Sequence, residues 1–319
     1  MGDKRVLIVD PVFKGAASIL VDEKQLDVSV YRPGRDGTLA DAIGDYDGLL
    51  ISETSLDRTA IRKGAAGKLR IISSVGRSVS HLDIKAAADA KVVVLHAPGY
   101  EANALAEYAL GMVFALSRKL PQGERLLREG KSFARHRLQG EELAGKTLGI
   151  LGMNEEGQLL AKKSAALGMD IVLHDYSLPL KDRHDLAQSI GARYASLDEL
   201  LRESDYVASL LPEDKQSVNL IGKRELSLMK ASSSLITLTP ALADEKVLYE
   251  ALSRGVISGI ALDIPLSKRS GLLTLENVVA TPGLAGLSSE TRRRQEVLAA
   301  VQLRDALLKG AYRNVVTPR

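Results

Sequence analysis

The chain has no cysteine, no tryptophan and only five histidines, and aromatic residues make up 4% of its 319 positions. Without cysteine it has no disulfides, thiolate metal ligands or cysteine nucleophiles. Its chemistry must come from His, Asp, Glu, Lys, Arg, Ser or a bound cofactor. The histidines are His81, His96, His136, His174 and His184, so everything beyond residue 184 lacks an imidazole. They show no paired spacing with acids, and no metal site is expected. No serine sits in a G-x-S-x-G elbow, so hydrolase chemistry has no signature. Few aromatics also means no stacking platform for single strands. The formal charge of +3, from 43 basic and 40 acidic residues, is too small to argue for nucleic acid. The clusters Arg135-His136-Arg137 and Arg292-Arg293-Arg294 read as solvated surface. No apolar run approaches the ~20 residues of a membrane helix, and the first strand-like run follows the N-terminus too closely for a signal peptide. A cytoplasmic protein is expected, with neither nucleic acid nor membrane as partner.

At roughly 150 residues per domain, the length implies about two domains, each able to bury its own core. Short β-branched runs at 5–10, 27–31, 48–52, 70–75 and 92–96 alternate with helical stretches. A second series follows at 147–152, 170–175, 206–211, 234–239, 259–264 and 277–281. Such alternation predicts two doubly wound, parallel α/β units. Residues 103–120 read as a buried connecting helix. Residues 290–308 read as a helix with an apolar face of Val297, Ala300, Val301, Ala306 and Leu307, which returns the chain to the first domain.

Between strand and helix stands Gly152-Met153-Asn154-Glu155-Glu156-Gly157, the context of a dinucleotide fingerprint. Gly152 and Gly157 match G-x-G-x-x-G, but Asn154 replaces the middle glycine, and its side chain claims space a pyrophosphate would use. Glu155 and Glu156 put negative charge at a helix start that otherwise favours phosphate; alternatively they only stabilise that helix. Asp175, ending the next strand, stands where an acid binds the adenine ribose, or else caps the strand end. NAD is thus the cofactor such a turn takes, and weak or absent NADH binding is the expectation here.

Several segments together resemble the D-isomer-specific 2-hydroxyacid dehydrogenases over nearly the whole chain. They are Ala97-Pro98-Gly99, Leu105-Ala106-Glu107-Tyr108-Ala109-Leu110, Leu143-Ala144-Gly145-Lys146-Thr147-Leu148-Gly149-Ile150, Leu211-Pro212, Ala261-Leu262-Asp263 and Asn277-Val278-Val279-Ala280-Thr281-Pro282. The resemblance implies two Rossmann-like domains with a cleft between them: a flavodoxin-like substrate domain at 1–102 plus 290–319, and a nucleotide-binding domain at 103–289. It also implies a homodimer. Cofactor contacts would fall on Gly152, Asn154, Gly157, Asp175, Pro212 and Asp263, the last resembling the family's ligand for the nicotinamide carboxamide. Gly76, Arg77 and Ser78 would form the substrate loop.

The resemblance further implies a catalytic His, a Glu that tunes it, and an Arg that clamps the substrate. None is present. Gly283 stands in the place of the His, in Thr281-Pro282-Gly283-Leu284-Ala285-Gly286. The Arg region reads Thr237-Leu238-Thr239-Pro240-Ala241 with one residue fewer. The strand before the Glu loop runs into Ile264-Pro265-Leu266-Ser267-Lys268-Arg269. Meanwhile the substrate loop has gained Arg77 and His81, and Tyr100 and Glu101 follow Ala-Pro-Gly. These four are the candidate catalytic residues of a remodelled cleft, or else Arg77 faces solvent and His81 caps a helix. Three functions follow. The favoured one is a catalytically degenerate relative that binds a small anionic ligand or a partner. The others are an active NAD-dependent oxidoreductase with relocated groups, and a non-redox lyase or isomerase.

Overall fold

The computed structural model describes residues 3–35, 37–131, 136, 138–177, 179–239 and 241–318. The chain divides into two compact units, residues 1–100 with 288–319, and residues 101–287. Both are parallel α/β sheets.

Unit 1 comprises β1 (Lys4–Ile8), α1 (Lys14–Val21), β2 (Leu26–Val30), α2 (Leu39–Ala42), β3 (Gly48–Ile51), α3 (Arg58–Ala66), β4 (Ile71–Ser74), α4 (Ile84–Asp89), β5 (Val93–His96) and the last helix, α12 (Ser289–Lys309). Its strands run in the order β2-β1-β3-β4-β5, the flavodoxin-like doubly wound order. Every residue of β3 and β4 is buried, as expected where helices cover both faces. One face packs on α1 and α12 through Val6, Ile8, Leu20, Leu50, Ala299, Ala300, Leu303 and Ala306. Full burial of Leu303 contributes about 2 kcal/mol.

The buried face of α12 differs from the apolar stripe read in the sequence. Gln295, Glu296 and Gln302 are buried in it, each because a backbone group needs a partner. Gln302 Nε2 donates to the His96 carbonyl (3.0 Å) and Ser73 Oγ (3.1 Å), and Glu296 accepts from Phe13 N–H (2.9 Å). The helix starts on Ser288, whose Oγ accepts from Thr291 N–H (3.1 Å), and ends at Gly310 with φ +63°.

Unit 2 comprises α5 (Ala102–Ser117), α6 (Leu120–Arg128), β6 (Thr147–Leu151), α7 (Glu155–Ala165), β7 (Asp170–His174), α8 (Leu180–Ser189), β8 (Arg193–Tyr194), α9 (Leu197–Glu203), β9 (Tyr206–Ser209), α10 (Lys223–Leu228), β10 (Ser234–Thr237), α11 (Glu245–Ser253), β11 (Gly259–Asp263) and β12 (Val278–Thr281). The order β12-β11-β10-β9-β6-β7-β8 is the doubly wound Rossmann order extended by one strand. Its switch point lies between β6 and β9. One core cluster joins the sheet to α5 and α7 through Ala106, Ala109, Val113, Leu148, Ile150, Leu160 and Ile171. The other joins it to α9, α10 and α11 through Leu151, Val207, Leu211, Leu226, Leu235 and Leu248.

The single helix expected at 103–120 breaks after Ser117. Lys119 takes the left-handed conformation at φ +52°, and Pro121 sits in the first turn of α6, where its missing N–H costs nothing. No described helix is long and apolar enough to cross a membrane.

Candidate functional site

Open α/β sheets bind ligands beyond the carboxyl ends of their strands. In unit 2 those ends carry three constructions. The first is the glycine turn after β6. A Cβ on Gly157 would run into the Gly152 carbonyl oxygen, and one on Gly152 (φ +112°) would lie 3.3 Å from the Leu210 carbonyl. Glycine at both positions lets β6, α7 and the end of β9 approach closely.

Asn154 between them is extended (φ −65°, ψ 178°), so it needs no left-handed tolerance. Its side chain folds back as the helix cap. Oδ1 accepts from Gly157 N–H (3.0 Å) and Nδ2 donates to the Leu210 carbonyl (2.8 Å). The side chain expected to stand in the pyrophosphate's place is therefore committed to the turn itself. The N–H groups of Glu155 and Glu156 open the helix, where no helical acceptor is available to them. The Glu155 side chain is exposed.

Asp175 completes this construction. It is 4% exposed, and accepts from Met153 N–H (2.7 Å) on one oxygen and from the Ser177 N–H and hydroxyl on the other. Burial acts to raise its carboxyl. The Ser177 and Met153 hydrogen bonds and the charge of Arg183 outweigh that and hold it below the ordinary value. Two tight glycines, a helix start with available N–H groups and a fixed carboxylate fit a dinucleotide. Pro212 lies exposed beyond β9.

The second construction lies where the resemblance places the clamp. Ser209, Thr237 and Thr239 are buried hydroxyls at the ends of β9 and β10. Thr239 Oγ1 meets Ser209 Oγ (2.9 Å) and donates to the Leu211 carbonyl (2.9 Å), while Thr237 Oγ1 donates to the Thr239 carbonyl (3.0 Å). These side chains join strand ends. Pro240 lies outside the described residues, and Ala241 adopts φ +54°.

The third is the turn after β12. Asp263 is 7% exposed. Its Oδ1 accepts from the Thr281 hydroxyl (2.6 Å), Gly283 N–H (2.9 Å) and Leu284 N–H (2.8 Å), and its Oδ2 from Ala285 N–H (2.7 Å). Asp263 thereby fixes the turn where the family's His is expected. Gly283 itself has φ +83°, and a Cβ there would meet nothing within 4 Å. Glu101, just before α5, lies beside this turn, its Cγ 3.7 Å from where a Cβ on Gly286 would stand.

Unit 1 holds the other candidates. His81 Nε2 lies 3.4 Å from Ser74 Oγ. Burial holds its pKa below the ordinary value, opposed by the charges of Asp10 and Glu53. Asp83, not His81, caps the helix that follows, accepting from Ala86 N–H (2.8 Å). The Arg77 side chain is exposed and its carbonyl meets His96 Nδ1 (2.9 Å). Ser78 Oγ meets Ser80 Oγ (3.1 Å). Gly76 and the Gly99-Tyr100 turn converge on α12: Gln295 Nε2 donates to the Gly99 carbonyl (3.3 Å), and the Thr291 hydroxyl to the Tyr100 carbonyl (3.1 Å).

Sequence reasoning passed over Asp10, Arg292 and Glu296. Asp10 accepts from the N–H groups of Ser52 (2.7 Å), Glu53 (2.9 Å) and Thr54 (3.2 Å) and from the Thr54 hydroxyl. Burial would raise its carboxyl, but these bonds hold it low. Arg292, read as surface, pairs with buried Glu296 (2.8 Å) and with Ser52 Oγ; Arg293 and Arg294 are exposed. Its i,i+4 spacing to Glu296 was the available signal. Arg135 and Arg137 lie outside the described residues. Among the described residues no group of three or more His, Asp or Glu could hold a metal.

Comparison with known proteins supplies an independent reading. The profile described as "D-isomer specific 2-hydroxyacid dehydrogenase, NAD binding domain" matches residues 110–285. A hydroxypyruvate reductase of Thermotoga maritima is 32% identical over 302 residues, covering 92% of this chain and 95% of that protein. A D-3-phosphoglycerate dehydrogenase of Methanocaldococcus jannaschii is 31% identical over 98% of this chain, which spans 59% of that longer protein. Among solved structures, the TT0316 protein of Thermus thermophilus superposes with a TM-score of 0.78 at 29% identity, covering 98% of this chain and 100% of that one. A D-lactate dehydrogenase of Treponema pallidum does so at 0.82 and 22% identity, with the same coverage, which shows the fold.

Proposed function

Because this chain belongs to the D-isomer-specific 2-hydroxyacid dehydrogenase family, we propose that it binds NAD and a small anionic acid but no longer transfers hydride by the family's route. The comparisons support NAD binding and give no support to the weak or absent binding expected from Asn154; the cap role of that side chain is consistent with them. The observation that carries the proposal is Gly283. It occupies the expected imidazole position in a turn that Asp263 fixes with four hydrogen bonds, and no histidine exists beyond residue 184.

The N–H groups of Glu155 and Glu156 would hold the pyrophosphate, Asp175 the adenine ribose hydroxyls, and the Asp263 Oδ2 edge the carboxamide. When bound, the nicotinamide supplies or accepts hydride. Reducing a 2-oxo acid also needs a proton donor at the substrate oxygen and a cation on the carboxylate. Thr239 and Gly283 supply neither. NADH titrated into the protein by calorimetry should bind, while a panel of 2-oxo acids, including hydroxypyruvate and glyoxylate, leaves its absorbance unchanged. Steady NADH oxidation with any of them would end this reading.

The relatives carry the names of reductases, and one feature of unit 1 favours a second reading in which the chain is an active oxidoreductase. His81, partly buried and facing the charges of Asp10 and Glu53, is an acid-base group in waiting. Turnover that falls at least about a hundredfold in His81→Ala would establish it. We further place the chain in the cytoplasm as a homodimer formed through α6, where Leu120 and Leu127 are 57% and 71% exposed. Light scattering at the mass of a monomer would exclude the dimer.

A further inference from the structure

Tyr176 and Asp214 stand on opposite sides of the strand that carries the glycine turn. β6 pairs with β7 along one edge and with β9 along the other, so the two outer strands lie about 10 Å apart. Tyr176 follows Asp175 beyond β7, and Asp214 follows Pro212 beyond β9. The Tyr176 hydroxyl donates to Asp214 Oδ1 at 3.0 Å. The bond thus joins the two segments that flank the carboxyl end of β6, where a sheet of this order takes its ligand.

Both ends are anchored. Asp214 Oδ1 also accepts from the N–H groups of Gln216 (2.7 Å) and Ser217 (2.9 Å), and Ser217 Oγ accepts from Asp214 N–H (2.9 Å). On the other side, Arg183 donates to the Tyr176 carbonyl (3.0 Å), Asp175 grips Ser177, and the Tyr176 ring packs on the α9 to α11 cluster. With both backbones held, only side-chain rotation separates hydroxyl from carboxylate. Burial and then Asp214 push the phenol up to about 12, while the bonds from Ser217, Gln216 and Tyr176 hold the Asp214 carboxyl low. At neutral pH the pair is a protonated donor facing a charged acceptor, the stronger kind of hydrogen bond.

We propose that Tyr176 and Asp214 form a strap across the adenosine half of the crevice, one that must open before a nucleotide enters and so sets its affinity. Asp175, the acid placed for the adenine ribose, directly precedes Tyr176, which fixes the half concerned. The inference rests on the reading that this crevice takes a dinucleotide.

The test is calorimetric titration of the full chain, as wild type, Tyr176→Phe, Asp214→Asn and the double variant, with AMP and with NADH. Phenylalanine keeps the ring, its packing and the net charge. Tyr176→Phe should bind AMP and NADH about tenfold tighter than wild type, Asp214→Asn, which keeps an Oδ1 acceptor but loses the charge that strengthens the bond, should tighten by less, and the double variant should bind no tighter than Tyr176→Phe. Stopped-flow association should accelerate in Tyr176→Phe. Unchanged or weaker binding in Tyr176→Phe overturns the strap, as does failure of every form to bind AMP. Tightening confined to Asp214→Asn also overturns it, since loss of a negative charge then explains the result. Oxidation of NADH by a 2-oxo acid would defeat the proposed function and leave these affinities standing.

Discussion

Within unit 2, the ends of β6 and β7 and the ends of β10 to β12 are built differently. At the first, close packing forces glycine at 152 and 157, and Asp175 is buried and held by hydrogen bonds on both oxygens. At the second, the buried polar side chains bond backbone groups and one another. Asp263 still organises its turn, and the hydroxyls of Ser209, Thr237 and Thr239 tie strand ends together. On the reading proposed above, groups that hold the fold have outlasted groups that serve only chemistry. A residue with buried partners is costly to lose, whereas a side chain facing a ligand can vanish without disturbing stability.

The largest effect expected from breaking this contrast is at Asp263. Asp263→Ala strands three N–H groups and leaves the Thr281 hydroxyl only its longer bond to the Leu262 carbonyl (3.3 Å), and should cost about 3 kcal/mol, read as a lower urea midpoint. Asp175→Asn should cost about 2 kcal/mol at neutral pH and weaken NADH binding. Its pH dependence follows from a folded pKa lowered from 3.8. The carboxylate's stabilisation is present above that unfolded value and is lost as pH falls through the lower folded one. Acid titration of wild type should therefore show a stability loss below about pH 4 that is smaller in Asp175→Asn. Gly283→His meets open space but forces a non-glycine residue to φ +83°. It should cost about 1–2 kcal/mol and create no NADH oxidation, because residues 237–241 still provide no arginine. The smallest effect has the opposite sign. Ala241 bears φ +54°, and Ala241→Gly should raise stability by about 0.5–1 kcal/mol in the same urea experiment.

Local signals were readable in the chain. Strand periodicity located both sheets, and the glycine spacing with Asp175 picked out residues that meet in the turn after β6, because they are joined by short connections. The two-residue β8 has no period to detect. The break at Lys119 depends on one left-handed residue within an apolar run. Asn154 read as an obstruction because sequence shows its identity but not its rotamer, and only the Leu210 carbonyl explains where the amide goes. Glu296 bonds Phe13, 283 positions away, and Tyr176 bonds Asp214 across 38. Such pairs leave no local pattern, which is why Glu296 and Asp214 drew no reading in the sequence.

The central claim is that a family frame with its NAD-binding domain has lost histidine-dependent hydride transfer. The most direct measurement uses NADH deuterated at C4, incubated with stoichiometric protein and a panel of 2-oxo acids, and asks by mass spectrometry whether deuterium reaches the α-carbon of a 2-hydroxy acid. The account predicts no label above a protein-free control while calorimetry shows NADH bound. Deuterium in any hydroxy acid, formed in proportion to protein, would contradict it.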